Sequence, residues 1–296
     1  MFERRQEVDG LALRHFVATT LPSTPAPSRD ELELLRKSLT YLNPKPSADA
    51  GTAFERLRGS LIKYPSLHVF TRREITSAGS WRWGKCVGDV DETLEDSFAW
   101  VWRWCSYERL DRHVESNGKF LVRQTDASED QYARRSQIVK VEYKISPGVA
   151  HRRSMTKYTW FMLASGLNGH EAYAIAFEPA PDPLYNTNRA PLLLGFTKKS
   201  VEARSHGIFL FEKIASRITR MTYVSKFDLG GSTLLPGWVV TSHVVTSVMS
   251  QVFQLQDKYR RVDKVVDEVR RELRREIVFT TTCRPPSPVF QASQAL

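Results

Sequence analysis

The sequence predicts an α+β fold in which a curved, many-stranded antiparallel sheet wraps around one long C-terminal α-helix. Three observations predict it. Between Trp81 and Phe227 the chain is a succession of short segments rich in β-branched and aromatic residues, separated by turn residues. Beyond Pro236, residues Val240, Val244, Val248, Val252, Leu255, Tyr259, Val262, Val266, Val269 and Leu273 advance in steps of three or four. That is a single apolar stripe about ten turns long. A many-stranded antiparallel sheet needs one face covered, and no other segment is long and apolar enough to do it. The space between such a sheet and its helix is where a ligand would sit.

In chain order, Leu21-Pro-Ser-Thr-Pro-Ala-Pro-Ser28 reads as a linker ending in Ser28-Arg-Asp-Glu31. The latter is a capping-box pattern, so a helix is expected to follow through about Leu42. Asn43 to Gly51 breaks it, and a second short helix is expected around Phe54 to Leu61. Residues 1–50 are taken as an N-terminal appendage, 51–276 as the main domain and 277–296 as a disordered tail. Trp81 to Val90 reads as a strand. Asp91 reads as the N-cap of a helix carrying Leu94, Phe98, Val101, Trp102 and Cys105 toward the core, with a short helix at Glu108 to His113. Strands are expected at 120–124, 137–145, 156–163, 172–177, 191–197, 207–213 and 217–227, with turns at Ser146 to Gly148 and Gly166 to Gly169. Pro236 suits the first turn of the long helix, where its missing N–H has no partner to lose. From Asp257 to Glu276 the helix mixes eight basic and six acidic residues, a solvated outer face.

The chain has 296 residues, 41% of them hydrophobic, and a formal net charge of +10. Its apolar runs fall short of the roughly 18 residues a membrane span needs, and Met1-Phe-Glu-Arg-Arg lacks a signal peptide's apolar run. The expected location is cytoplasmic, peripheral to membranes at most. Three scattered cysteines, Cys86, Cys105 and Cys283, argue against a disulfide framework or a structural zinc site; Cys86 and Cys105 are expected as buried free thiols. The positive charge is concentrated in 134–157, where seven basic residues face only Glu142, and in 198–226, where seven face Glu202 and Glu212. Such surfaces attract nucleic acid or anionic lipid. No helix-turn-helix, zinc-finger or aromatic RNA-binding motif accompanies the charge, so no nucleic-acid partner is expected.

Metal and nucleotide motifs are absent, and the two S-x-x-K matches, at Ser60 and Ser154, lack the companion motifs of serine-lysine catalysis. No catalytic residue, metal or cofactor is assigned. His243, in the first turns of the long helix, could line a cavity as an acid–base group, but a hydrogen-bonded or surface histidine is the stronger expectation.

Two stretches resemble a known family. They are Trp83-Gly-Lys-Cys-Val-Gly-Asp-Val-Asp-Glu-Thr, leading into Ala99-Trp-Val-Trp, and Tyr223-Val-Ser-Lys-Phe-Asp-Leu-Gly-Gly-Ser-Thr-Leu-Leu-Pro-Gly-Trp-Val-Val240. The second resembles the strand, turn and helix opening of START (StAR-related lipid transfer) domains, most of all START-like domains of oomycetes and algae. The resemblance covers roughly residues 80 to 275. It implies the helix-grip fold shared by START and Bet v 1-like proteins, and non-catalytic binding of a lipid or sterol-like ligand under the terminal helix. It makes Arg153, Trp160, Tyr223, Val240, His243, Val244, Val248 and Val252 the cavity candidates, with Asp228, Pro236 and Trp238 as motif scaffold. Many START domains carry an acid after the arginine that Arg153 matches; here Ser154 stands there. Either another acid such as Asp228 supplies the charge, or Arg153 is exposed, or a ligand headgroup takes that role. Two further readings remain: a regulatory domain with a filled interior and a helical partner for the stripe beyond Tyr259, and a cyclase- or hydrolase-like enzyme of the same fold.

Overall fold

The computed structural model describes residues 10–20, 26–42, 54–57, 66–76, 79–103, 120–124, 135–143, 152–163, 169–180, 201–228 and 237–259. The described residues belong to one compact unit ending at Tyr259; a second unit, Arg260–Leu296, lies outside them. A helical turn at 10–15 runs into a π-helix, Phe16–Thr20. The α-helices are α1 (Arg29–Leu39), α2 (Leu94–Trp102) and α3 (Gly237–Lys258). The strands are β1 (Glu55–Arg56), β2 (His68–Thr76), β3 (Gly79–Val90), β4 (Phe120–Gln124), β5 (Ser136–Tyr143), β6 (Arg152–Leu163), β7 (Ala172–Pro179), β8 (Val201–Glu202), β9 (Arg204–Ala215) and β10 (Ile218–Asp228). They form one sheet in the order β1-β2-β3-β10-β9-β7-β6-β5-β4, antiparallel throughout, with β8 added in parallel to β6.

Strand side chains alternate between faces, and the two faces have separate cores. Cys86, Met221, Tyr223, Phe209, Phe211, Tyr173, Ile175, Phe177, Tyr158 and Trp160 point to the inner face and join one cluster with α2 and α3. Trp83, Val224, Ile208, Leu210, Phe161 and the alanines 172, 174 and 176 point to the outer face, where Leu34, Leu35 and Leu42 cover them. On that face the Trp83 ring meets the edges of Tyr41 and Phe54.

α3 reaches the sheet at glycines. Gly84 and Gly88 both face it from β3. A Cβ at position 84 would lie 2.8 Å from Val244 Cγ1 and 2.9 Å from Val248 Cγ1, and one at 88 would lie 2.9 Å from Val252 Cγ1. Val244, Val248 and Val252 are fully buried as a result, each contributing on the order of 1.5–3 kcal/mol relative to exposure. Gln256 fastens the far end: its Nε2 donates to Asp89 O at 2.8 Å and its Oε1 accepts from Ser66 Oγ at 3.2 Å.

Several expectations change. The capping box is present as expected: Ser28 Oγ accepts from Glu31 N, and Glu31 Oε2 accepts from Ser28 N at 2.8 Å. The α1 helix itself stops at Leu39. Glu31 Oε1 also accepts from Ser136 Oγ at 3.1 Å, which ties the helix start to β5. The first fifty residues, expected as an appendage, contribute Leu34, Leu35 and Leu42 to the outer core and a fully buried Phe16 to the inner one, where its ring lies 6.2 Å from Phe98. Where a helix was expected from Phe54, the described residues form β1, which extends the sheet beside β2. The N-cap of α2 is Thr93, whose Oγ1 accepts from Asp96 N at 3.2 Å, rather than Asp91. The reason is that β3 stays paired to β10 through Val90, opposite Thr219, so the chain needs residues 91–93 to leave the sheet. Gly169 takes a positive φ of 78°, the left-handed geometry a turn reserves for glycine. The strand expected at 191–197, the helix at 108–113, Pro236, Cys105, Cys283, the stripe beyond Tyr259 and the tail lie outside the described residues.

Gly84→Leu should push the α3 valines off β3 and cost about 1–3 kcal/mol, read as a lower urea midpoint. Adding Val248→Ala should restore part of the loss. Unchanged stability in the single variant would mean that α3 does not rest on β3 as described.

Candidate functional site

The inner face forms the site. Its floor is the β3 seam, with Cys86 fully buried between the two glycines, where burial pushes its thiol well above the ordinary range. Beyond the seam the floor is aromatic. Tyr223 stacks on Phe209 with centroids 4.1 Å apart and planes 4° from parallel, and Phe177 lies beside both. Farther along, Phe98 of α2 stacks on Tyr173 at 4.6 Å and lies 5.6 Å from Trp160 and 5.9 Å from Phe211. These rings bury large area in offset and edge geometries that each add roughly 0.5–1.5 kcal/mol. Burial also raises the Tyr173 hydroxyl, with Glu95 and Glu171 adding to the shift.

Trp160 occupies the side of this floor where β5 and β6 meet. Its backbone exchanges two bonds with Arg135: Trp160 N donates to Arg135 O, and Arg135 Nη1 donates to Trp160 O, both at 3.0 Å. The guanidinium also lies 4.8 Å from the indole centroid, a cation–π contact. The indole is 3% exposed, and its Nε1–H has no acceptor among the described residues; the same holds for Trp102 Nε1 at the end of α2. A buried donor left this way costs on the order of 1–3 kcal/mol, so the inner face carries hydrogen-bonding capacity that the described residues do not use.

The roof is mixed in character. At 3.6 residues per turn, Ser247, Gln251 and Gln254 lie on the flank of α3 opposite Gln256, turned away from β2 and toward the β10 side. All three are buried. The roof thus packs valines on the seam and carries polar groups along the flank beside it.

The cavity candidates separate into groups. Trp160 and Tyr223 are on the inner face, both buried. Val244, Val248 and Val252 are on the sheet-facing side of α3, but as seam contacts packed on Gly84 and Gly88. His243 is half-buried on the same helix, four residues before Ser247, and Val240 and Trp238 belong to its first turn. Arg153 is a correction. Seven positions before Trp160 on an uninterrupted strand, it points to the opposite face, whereas Arg152 shares the face of Trp160 and is 3% exposed. Asp228 ends β10 opposite Arg204. In backbone register Arg153 is opposite Glu142 of β5 and beside Glu202 of β8.

Sequence reasoning missed Gly84, Gly88, Arg152, Arg135 and the Ser247–Gln251–Gln254 flank. Two signals were available. The glycines share strand parity, and the polar trio recurs at helical spacing inside an apolar stripe. The Arg135 contact depends on a register that no local pattern encodes. Among the described residues, no group of three or more histidines, cysteines and acids is placed to hold a metal ion, and no helix is long and apolar enough to cross a membrane.

No family model matches the chain, and no curated protein matches it. Solved structures do. Human StAR-related lipid transfer protein 5 superposes with a TM-score of 0.53 at 16% identity, covering 78% of this chain and 95% of that one. Human STARD10 matches with a TM-score of 0.48 at 14% identity, over 89% and 91% of the two chains. A STAR-related lipid transfer protein fragment from Xanthomonas axonopodis matches with a TM-score of 0.48 at 17% identity, over 70% and 99%. At such identity the first of these likenesses establishes the fold, a START-like helix-grip domain, and it is the one that bears weight.

Cys86 beneath α3 should resist alkylation in the native protein and react fully on unfolding, as read by mass mapping of its peptide. Rapid labelling of the folded chain would show that the seam opens freely.

Proposed function

We propose that this chain, which shares the START-like fold of human StAR-related lipid transfer protein 5, binds an amphiphilic lipid or sterol-like ligand between the sheet and α3, without catalysis, in the cytoplasm. The observation that carries this reading is Trp160 Nε1–H, a buried donor with no acceptor among the described residues, amid an aromatic floor. A ligand with an apolar body and an acceptor oxygen matches both properties, because rings bury the body and the indole receives the oxygen. Ser247, Gln251 and Gln254 on the roof add polar capacity on the adjoining flank. Arg152, on the same face as Trp160, adds a cation for ligands with an acidic headgroup. The basic strands would orient the domain on anionic membrane during exchange.

A second reading has its own support. The stacked pairs Phe209–Tyr223 and Phe98–Tyr173 fill part of the inner face with side chains. A regulatory domain that uses its interior for stability, with the stripe beyond Tyr259 recruiting a helical partner, would look the same at these positions.

Native mass spectrometry of the purified full chain, followed by transfer between liposomes, separates the two. Co-purifying lipid and transfer are expected. A protein that is always empty and transfers nothing points to the regulatory reading. Trp160→Phe keeps the ring and removes the N–H, so ligand affinity should fall about threefold to tenfold with stability maintained. Equal affinity would remove the indole from the site.

A further inference from the structure

The outer face carries charge that ligand binding on the inner face does not use. Trp83 stands between its two cross-strand neighbours, Arg72 on β2 and Lys226 on β10. Both lie over its ring, the guanidinium 4.7 Å and the ammonium 5.2 Å from the centroid. The next residue in the same row is His206 of β9, directly opposite Lys226. Lys37 of α1 and Arg204 act on it as well. Burial first, and then the charges of Lys37, Lys226 and Arg204, lower the imidazole to about 4. Lys37 and Arg204 are exposed and Lys226 and His206 half-buried, with Arg72 and Trp83 buried behind them.

Acids are present and do not cancel this charge. Glu202 is held by Arg204 at 3.1 Å, Asp228 is opposite Arg204 in register, and Glu178 is opposite Lys157. The balance around His206 stays positive, and a fourth full charge is rejected there at neutral pH. Gathering like charges on one patch is unfavourable in isolation, and an anion of matching chemistry reverses the sign of that interaction.

We propose that the outer-face row of His206, Lys226 and the Arg72–Trp83 pair, flanked by Lys37 and Arg204, binds a phosphate group, separately from any ligand on the inner face. A phosphate dianion accepts from ammonium, guanidinium and imidazolium donors together, and its charge draws a proton onto His206. The site stands whether or not the inner face holds a lipid, because no residue is shared between the two.

The test follows the His206 imidazole by NMR in the isotopically labelled full chain during titration with inorganic phosphate. Its pKa should climb from about 4 toward the ordinary histidine value, by roughly one unit or more. Chloride at matched ionic strength should move it much less; an equal shift with chloride means general screening and overturns the proposal. No shift with phosphate overturns it too. Lys37→Met with Lys226→Met should weaken phosphate binding on the order of tenfold or more, with the fold checked by thermal unfolding; undiminished binding would place the phosphate elsewhere and overturn the assignment. Flotation with phosphatidylcholine vesicles, with and without phosphatidic acid, identifies the source. Binding that requires phosphatidic acid and is lost in the double variant assigns a lipid headgroup. A phosphate response without flotation assigns a free or small-molecule phosphate at the same residues.

Discussion

The approach of α3 to β3 governs the rest of the molecule. A helix carrying β-branched valines at 244, 248 and 252 can lie this close to a strand only if the strand presents no side chain beneath it, and Gly84 and Gly88 satisfy that requirement. Strand parity then follows without further choice. Cys86 falls between the glycines, facing the helix, and Trp83 and Lys85 face the other way. One helix flank is fixed through Gln256 to Asp89 of β3 and to Ser66, just before β2, and Ser247, Gln251 and Gln254 are turned toward the β10 side. Which residues line the inner face, and which form the outer one, both descend from this contact.

The two faces solve different chemical problems with similar residues. Inside, aromatic rings contact one another, and Arg135 closes over Trp160 at the margin. Outside, Trp83 is sandwiched in register between cations, and α1 covers the neighbouring alanines and aliphatics. The small side chains at 172, 174 and 176 let α1 lie close on β7, much as glycines do for α3 on β3. Glu31 links the two levels of organisation, since one carboxylate caps α1 and accepts from Ser136 of β5. Elsewhere on the sheet, Arg220 holds Asp89 across β10 and β3 at 2.9 Å, a bond that raises the guanidinium further above its already high range.

Much of this was readable in the residues. Alternation located β3, composition between turn residues located β4, β5, β6, β7, β9 and β10, and the spacing of Val244, Val248, Val252 and Leu255 placed a helix whose buried side is the one seen. Local chemistry identified the Ser28–Glu31 box. Failures occurred where the deciding partner is distant in sequence. β2 carries Arg72, Arg73 and Glu74, so its pattern argues against a strand until one sees that Arg72 is buried on Trp83. The N-cap moved from Asp91 to Thr93 because β10 holds β3 through Val90. Arg153 was chosen by motif similarity, while counting by twos from Trp160 would have favoured Arg152. The outer-face charge was visible only as a bulk excess, because the row Arg72–Trp83–Lys226–His206 draws on four strands.

The strand order has a consequence for how the chain reaches this structure. β3 pairs with β10, so residues about 130–145 positions apart in sequence must meet to form the centre of the sheet. Until they do, β3 has β2 on one side and an unfilled edge on the other, and α3 has no surface to land on. Contacts of this range are slow to form. During synthesis the first third of the chain must therefore wait for the last third, with Trp83 and Cys86 exposed in the interval. That interval is the period when the protein is most dependent on chaperones and most prone to aggregate.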